Sequence, residues 1–352
     1  MKSHTLLLKF LIIVTFISLM LSGCSQKSAR DFLVLPTQTP TITPTATPTI
    51  TPIPIEDLVF GTETNPYIVT YINNTDENLN SPDMDIFIQN LSEQTGFFFQ
   101  YQHFNSARDA FEALRKGEVH FVWLHPLTYL AAKERDLINP LFVTNHFGLY
   151  QYGFQFISNV ESNFFSYFDE NTNLNTAEAG IALRQFEGKR PCFVNDSSLS
   201  SAIAPQGLMS QNGIQNLDPV MIQTHTGIVR ALYIKGICDF GVTFAYTGDP
   251  RTSSQVINDL PDALQKVQII WRSEPIIPSL AFAVQKDVPL QVVEKTTTYL
   301  SVMSQSSEGK ELLTKSLRYD VQNLRQIDDR FFSQVKELIY AANVIPYQFL
   351  GY

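Results

Sequence analysis

Four serines in one short segment are the residues of this chain best suited to bind a ligand. Residues 195–201 read Asn-Asp-Ser-Ser-Leu-Ser-Ser and separate a stretch that predicts a strand from one that predicts a helix. The first turn of a helix has N–H groups without intrahelical partners and carries about half a positive charge. Serine hydroxyls add donors, so the segment predicts a site for a phosphate-like oxyanion. Plain capping of the helix, for which serine is ideal, is the alternative interpretation.

Other chemistries find little support in the sequence. It contains no glycine-rich phosphate loop, no His-Glu-x-x-His and no Gly-x-Ser-x-Gly. His103, His120, His125, His146 and His225 are scattered without the close spacing typical of metal ligands. We therefore expect no catalytic residue, no metal and no cofactor, and a binding protein rather than an enzyme.

The composition is that of an ordinary globular protein with an excess of acidic residues. The 352 residues are 44% apolar and 17% charged, and the formal net charge is −9. Nucleic acid is not an expected partner, because its phosphates require a basic surface. A small anion is compatible with this charge, because local dipoles can outweigh the net charge.

Strands and helices alternate along the chain around the serine segment. The patterns predict strands at 58–61, 97–101, 119–124, 190–195, 220–223, 238–243, 267–271 and 279–284. They predict helices at 85–94, 107–116, 127–135, 201–211, 227–234, 290–305 and 328–342. This alternation is typical of mostly parallel sheets. Two such series predict two lobes, with a ligand cleft at the carboxyl ends of the strands and hinges near 150–156 and 273–282.

Four stretches of the chain carry a recognisable pattern. They are residues 117–129 (GEVHFVWLHPLTY), 188–200 (GKRPCFVNDSSLS), 224–232 (THTGIVRAL) and 269–278 (IIWRSEPIIP). In this order they resemble the phosphate/phosphite/phosphonate-binding proteins of ABC importers, over about residues 57–315. The resemblance implies an α/β, two-lobed periplasmic-binding-protein type II fold. In such a fold each lobe is a mostly parallel sheet flanked by helices, and the ligand cleft lies between the lobes.

The resemblance also implies roles for individual residues. Ser198 and Ser200 would donate hydroxyl hydrogen bonds to the oxyanion, and Tyr129 would close over it from the first lobe. The implied ligand-binding residues are Tyr129, Ser197, Ser198, Leu199, Ser200 and His225. From the residues alone, His225 is also compatible with a helix cap, and Tyr129 with a core aromatic.

Two departures from the family pattern concern the ligand. Phe244 stands where the family often has an acidic residue, which would suit an ammonium group, so an aminoalkylphosphonate is not the expected ligand. His125 stands where glycine is common, and it narrows the mouth of the cleft or changes its charge. The alternative function is therefore a binding module of the same fold for a different small ligand, serving a transporter or a membrane sensor.

The N-terminus has the pattern of an export signal. Lys2 and Lys9 precede an apolar stretch at 11–21, which ends in Leu-Ser-Gly-Cys at Cys24. This ending resembles a lipobox and implies cleavage before Cys24 and a lipid on its sulfur. An uncleaved membrane helix is the alternative, but the segment is at the short edge of what spans ~30 Å of hydrocarbon. We expect the protein on the outer face of the cell membrane.

A tether follows the predicted signal. Prolines recur at every fourth position from Pro36 to Pro52, which favours an extended chain. The predicted organisation is a signal peptide at 1–23, a lipid-anchored tether at 24–55, a first lobe at 56–150 and 273–352, which includes the C-terminal helices, and a second lobe at 151–272. The expected partners are a small oxyanion, an ABC transporter permease and, through Cys24, the membrane; we expect a monomer.

Cys192 and Cys238 are the two cysteines left after Cys24. An exported protein meets oxidising conditions, in which a disulfide between them would persist. Two buried thiols are an equal alternative, because geometry decides whether a bridge can form.

Overall fold

The computed structural model of the protein describes residues 60–72 and 79–350. The predicted signal peptide, the predicted lipid attachment at Cys24 and the Thr/Pro-rich tether lie outside the described residues. Within the described ranges, no helix has both the length and the apolar character that a membrane span requires.

The described residues form strands and helices that we number in chain order. The strands are β1 (Tyr67–Ile72), β2 (Phe99–Tyr101), β3 (Phe121–Leu124), β4 (Ile138–Asn145), β5 (Gln151–Asn159), β6 (Phe168–Asp169), β7 (Leu174–Asn175), β8 (Pro191–Phe193), β9 (Val220–Met221), β10 (Phe240–Ala245), β11 (Val267–Arg272), β12 (Ile277–Pro278), β13 (Ala281–Gln285) and β14 (Asn323–Gln326). The helices are α1 (Pro82–Thr95), α2 (Ala107–Arg115), α3 (Pro126–Glu134), α4 (Ala179–Ala182), α5 (Ala204–Gln211), α6 (His225–Ile234), α7 (Ser254–Ile257), α8 (Ala263–Lys266), α9 (Leu290–Met303), α10 (Ser307–Leu317) and α11 (Ser333–Ala341).

The first lobe is built on a six-stranded sheet in the order β14-β4-β13-β3-β1-β2. The pairs β1–β2 and β1–β3 are parallel. The pairs β3–β13, β13–β4 and β4–β14 are antiparallel. All four residues of β3 are buried, as expected for a strand that is covered on both faces.

The second lobe is built on a sheet in the order β11-β5-β10-β8-β9, with β12 paired to β5. Strands β10, β8 and β9 are mutually parallel, whereas β5 runs antiparallel to β10 and β11. The predicted α/β class with two lobes is confirmed. The sheets are mixed rather than mostly parallel, because β5 and β13, which follow the crossings between the lobes, run back against their neighbours.

The chain passes between the two sheets twice. It leaves the first sheet after β4, through residues 146–150, and returns between β11 and β13, through residues 273–280. In the second passage β12 pairs with the beginning of β5, where Ile277 is opposite Tyr152. The two passages therefore run side by side, which is the arrangement that a two-stranded hinge needs.

Helix α6 lies very close to the second sheet. A Cβ atom added to Gly241 of β10 would lie 2.3 Å from a side-chain methyl carbon of Ile228 on α6, so only glycine allows this approach. Cys192 in β8 forms a disulfide with Cys238, just before β10, with the two Cα atoms 5.6 Å apart. The question that the sequence left open is thus answered in favour of a disulfide, which links two neighbouring strands of this sheet.

The C-terminal helices divide between the lobes. Helix α9, which the sequence predicts at 290–305, and helix α10, which it does not predict, both pack on α1 of the first lobe. Helix α11 instead packs on α5 of the second lobe, where a Cβ added to Gly207 would lie 1.9 Å from the carbonyl oxygen of Leu338. The final turn, Pro346–Leu350, packs against α3 of the first lobe. The end of the chain thus contacts both lobes.

Replacement of Gly207 by alanine should destabilise the protein. Alanine favours an ordinary exposed helix by roughly 1 kcal/mol over glycine, but here the new methyl group would overlap the backbone of α11. We expect a loss of about 1–3 kcal/mol in the free energy of unfolding, measured by urea denaturation. Ser210→Ala, at an exposed position of the same helix, is the matched control and should change stability by less than about 0.5 kcal/mol. A stabilised Gly207→Ala protein would contradict the packing of α11 on α5.

His120 should contribute to loss of stability in acid. It is buried in the first lobe, where its Nδ1 accepts a hydrogen bond from the Ile68 N–H at 3.0 Å and burial lowers its pKa to about 4. The unfolded chain takes up this proton near pH 6.5, so the stabilisation is complete above that pH and is lost as the pH falls toward 4. The full effect is roughly 3 kcal/mol. Urea unfolding at pH 7 and pH 4.5 should show a smaller acid loss for His120→Asn than for the wild type; equal losses would refute the assignment.

Candidate functional site

Three parallel strands of the second lobe bring the candidate residues to one edge. Residues 195–198 follow β8, His225 follows β9, and Phe244 lies near the end of β10. The N–H groups of Ile222 and Gln223 donate to the carbonyls of Phe193 and Val194, at 2.8 Å each. The residues that precede His225 are therefore paired with the residues that precede the serine segment. The carboxyl ends of parallel strands are where ligands bind in α/β folds.

The serine segment opens its helix with a wide turn. Residues Leu199–Ile203 form a π-helical turn that precedes α5, and the N–H of Ile203 donates to the carbonyl of Ser198 at 3.0 Å. Such turns are rare and often occur at functional sites. The N–H groups of Leu199 and Ser200 lie in this first turn, where no intrahelical acceptor exists for them. They are therefore available to an anion.

The serine hydroxyls have different roles. Ser198 Oγ accepts from the Ser201 N–H at 3.3 Å, which leaves its own hydrogen for a ligand. Ser197 Oγ donates to Asn195 Oδ1 at 3.0 Å. Ser200 is nearly buried and interacts with the hydroxyl of Tyr152, a residue of β5. Ser198 and Ser200 thus remain the candidate hydroxyls for contact with a ligand.

Ser201 holds the turn in place. Its fully buried hydroxyl donates to the carbonyl of Val242 at 2.7 Å and accepts from the N–H of Val194 at 2.9 Å. These two bonds connect the serine turn to β10 and to the end of β8. The fourth serine of the segment is therefore a structural residue and not a ligand donor.

His225 is the first residue of α6, but it does not cap the helix. The cap is Thr224, whose hydroxyl accepts from the Gly227 N–H at 3.0 Å. The imidazole packs edge-on against Phe244, with ring centroids 4.7 Å apart, and its Nδ1 is buried without a hydrogen-bond partner in the described structure. Burial lowers the pKa of His225 to about 4, so the ring is neutral at neutral pH. A neutral imidazole with an unused nitrogen can donate to an oxyanion.

Tyr129 lies in the interior of the first lobe. Its ring stacks on Phe332 with centroids 3.7 Å apart, and its hydroxyl donates to Asp329. Only 1% of the residue is exposed, and burial raises the pKa of its phenol. The structure thus brings Ser198, Ser200 and His225 to one edge and does not bring Tyr129 to them. The ligand role of Tyr129 stays a prediction that requires the C-terminal segment to move.

Tyr152 is a candidate that the sequence patterns did not identify. It lies at the start of β5, where the chain enters the second lobe, and it is partly buried beside Ser200. Burial raises the pKa of its phenol, so the hydroxyl stays protonated and can donate a hydrogen bond. An aromatic residue at the start of a strand that the sequence did not predict carries no sequence signal of such a role.

The described residues form no candidate metal site. Within residues 60–72 and 79–350, no group of three or more His, Cys, Asp or Glu side chains is arranged to hold a metal ion. The donors at the second-lobe edge are hydroxyls, backbone N–H groups and an imidazole, which suit an anion.

Comparison with protein families agrees with this geometry. Residues 70–330 match the family model described as ABC transporter, phosphonate, periplasmic substrate-binding protein. The chain belongs to this family. It is a periplasmic substrate-binding protein of the phosphonate ABC transporter type. Proteins of this family bind small ligands outside the cytoplasm and deliver them to an ABC permease.

Solved structures share the fold. XAC2383 from Xanthomonas citri, bound to chloride or to ATP, is 17% identical with a TM-score of 0.59, and the match covers 79% of this chain and 96–97% of that one. PhnD1 from Prochlorococcus marinus, in complex with methylphosphonate, is 12% identical with a TM-score of 0.52, covering 79% of this chain and 98% of that one. These likenesses concern the fold and confirm the expected periplasmic-binding architecture. No curated protein sequence matches the chain significantly.

Ser201 and Ser200 should respond differently to truncation. Ser201→Ala leaves the N–H of Val194 and the carbonyl of Val242 buried without their partner, so we expect a loss of roughly 2–4 kcal/mol in the free energy of unfolding. Ser200→Ala should change stability by less than about 1 kcal/mol, because its hydroxyl bonds no buried backbone group. Urea denaturation of both variants, with Ser210→Ala as control, tests this assignment. Equal stability losses for Ser200→Ala and Ser201→Ala would contradict it.

Proposed function

We propose that this protein captures a phosphorus oxyanion, namely phosphate, phosphite or a phosphonate, for an ABC importer. The observation that carries the proposal is the convergence of neutral donors at the second-lobe edge. These donors are the hydroxyls of Ser198 and Ser200, the first-turn N–H groups of Leu199 and Ser200, and the imidazole of His225. Membership of the phosphonate-type family supports the same class of ligand.

Neutral donors suit an anion that must be both bound and released. The turn at Leu199–Ile203 and the start of α6 both point their N-terminal ends at this edge, and each end carries partial positive charge. Hydroxyl and N–H groups bond a tetrahedral oxyanion in defined directions without a formal counter-charge. The site therefore does not depend on the net charge of the protein.

Phe244 limits the charge that a bound ligand can carry next to it. Its partly exposed ring lies against His225 and presents an apolar edge beside the donors. An ammonium group placed there would lose its hydration without gaining a carboxylate partner, which is costly. The proposed ligand therefore carries no ammonium group next to Phe244.

Capture would proceed by closure of the two lobes. The anion first bonds the second-lobe edge, and groups of the first lobe complete its shell as the cleft closes. The adjacent passages at 146–150 and 273–280 would absorb the rotation. The ligand shifts the equilibrium toward the closed form. The size of this shift is set by how much more tightly the ligand binds the closed form than the open form.

The N-terminal segment fits this role. A lipid on Cys24 would hold the protein at the outer face of the membrane, and the Thr/Pro-rich tether would reach roughly 50–100 Å. Confinement near the permease raises the effective concentration of the loaded protein there. We include the lipid anchor in the proposal on the strength of the lipobox-like ending at Cys24.

The test is titration calorimetry of the purified protein with phosphate, phosphite, methylphosphonate, sulfate and small organic acids. We expect binding of at least one phosphorus oxyanion. A Ser198→Ala, Ser200→Ala double variant loses two charge-assisted hydrogen bonds at about 1.5–3 kcal/mol each, so its affinity should fall at least about 100-fold. Ser210→Ala, exposed on α5, should bind like the wild type.

Three results would count against the proposal. Absence of heat with every phosphorus oxyanion, at protein concentrations suited to μM affinity, would remove the ligand class. Binding of sulfate or an organic acid alone would favour the alternative of a same-fold module for another ligand. Unchanged affinity in the double variant, with an unfolding transition like that of the wild type, would move the site away from the serine turn.

A further inference from the structure

His125 and Tyr71 form a pair at the edge of the first-lobe sheet. His125 directly follows β3 and is the N-cap residue of α3, but its side chain makes no capping hydrogen bond. Its Nε2 instead lies 2.7 Å from the hydroxyl of Tyr71, which is near the end of the adjacent parallel strand β1. The pair therefore occupies the carboxyl edge of two neighbouring strands, the position that corresponds to the serine turn in the other lobe.

A series of aromatic side chains leads from this pair to the serine turn. The ring of Tyr319 lies 6.5 Å from that of His125, centroid to centroid. Tyr319 is also close enough to Tyr152 to add to the rise of its phenol pKa, of which burial is the main cause, and Tyr152 interacts with Ser200. His125 thus faces the same cleft as the second-lobe donors.

His125 is exposed to solvent, yet the surrounding protein and, to a smaller extent, His146 lower its pKa to about 4. At neutral pH the imidazole is therefore uncharged and carries a single proton.

The contact between Tyr71 and Nε2 fits either tautomer of His125, because the phenol or an Nε2–H can be the donor. We assign the Tyr71 hydroxyl as the donor and Nε2 as the acceptor. The proton of His125 then resides on Nδ1. No hydrogen bond from the described residues reaches Nδ1, so this N–H is available to a ligand in the cleft.

The second-lobe donors can bond only three of the four substituents of a tetrahedral ligand. Two hydroxyls, two backbone N–H groups and the His225 imidazole are enough for three oxygens. With three oxygens directed at that edge, the fourth substituent points across the cleft toward the first lobe. In phosphate this substituent is an oxygen, which accepts a hydrogen bond, whereas in methylphosphonate it is a methyl group, which does not.

We propose that His125 determines specificity by donating its Nδ1–H to the fourth substituent of the ligand, so that phosphate is preferred to methylphosphonate. The inference rests on the proposed function, because it requires the other three oxygens at the serine turn. A methyl group in this position would leave the Nδ1–H unpaired after closure of the cleft. A site that bonds a polar group rejects the analogue that lacks it, here by about tenfold or more.

Calorimetric titration of the full-length protein with phosphate and with methylphosphonate tests the proposal. The wild type should bind phosphate at least about tenfold more tightly. His125→Phe fills the space without a donor and should reduce this ratio by about tenfold. His125→Asn keeps an N–H donor near the position of Nδ1 and should retain most of the ratio. Tyr71→Phe removes the group that fixes the tautomer and should lower the ratio even if His125→Phe fails to fold.

Ser200→Ala separates this inference from the proposed function. It should weaken both ligands to a similar extent and leave their ratio unchanged. A wild type that binds neither ligand would overturn the proposed function and this inference together. A wild type that prefers methylphosphonate, or a ratio unchanged in both His125→Phe and Tyr71→Phe, would overturn the role of His125 alone.

Discussion

The buried hydroxyl of Ser201 is the constraint on which the proposed ligand site at the second-lobe edge depends. It bonds the carbonyl of Val242 and the N–H of Val194, and so ties the serine turn to the two strands beside it. Because the turn cannot rotate away from the sheet, the hydroxyls of Ser198 and Ser200 and the neighbouring N–H groups keep their direction without a ligand. Donors arranged in advance bind an anion without the cost of ordering them.

Much of the fold was predictable from local patterns. The strand predicted at 119–124 and the helix predicted at 107–116 appear as β3 and α2, because apolar runs and helical periodicity report directly on burial. Strands β4 and β5 were missed, since residues 138–145 and 151–159 contain proline, glycine and asparagine, which are uncommon in strands. These two strands border the first crossing, so their omission also hid the mixed character of both sheets.

The candidate site was predictable where it depends on neighbours in sequence and not where it depends on distant partners. The serine run and His225 identified the second-lobe edge, because helix starts after parallel strands meet there. Nothing local distinguishes Ser201 from Ser200, since only the position of Val242 decides which hydroxyl turns inward. Tyr129 is covered by Phe332, which lies far along the chain, so its local pattern could not reveal this contact.

The close contact between Gly207 and Leu338 has a consequence for how the chain is assembled. Helix α5, which continues from the serine turn, obtains its neighbour α11 only from the last part of the chain. During synthesis or export from the N-terminus, the second lobe cannot complete its packing until the C-terminus has emerged. Because contacts between distant segments form late and at an entropic cost, maturation of the ligand edge is coupled to completion of the whole polypeptide.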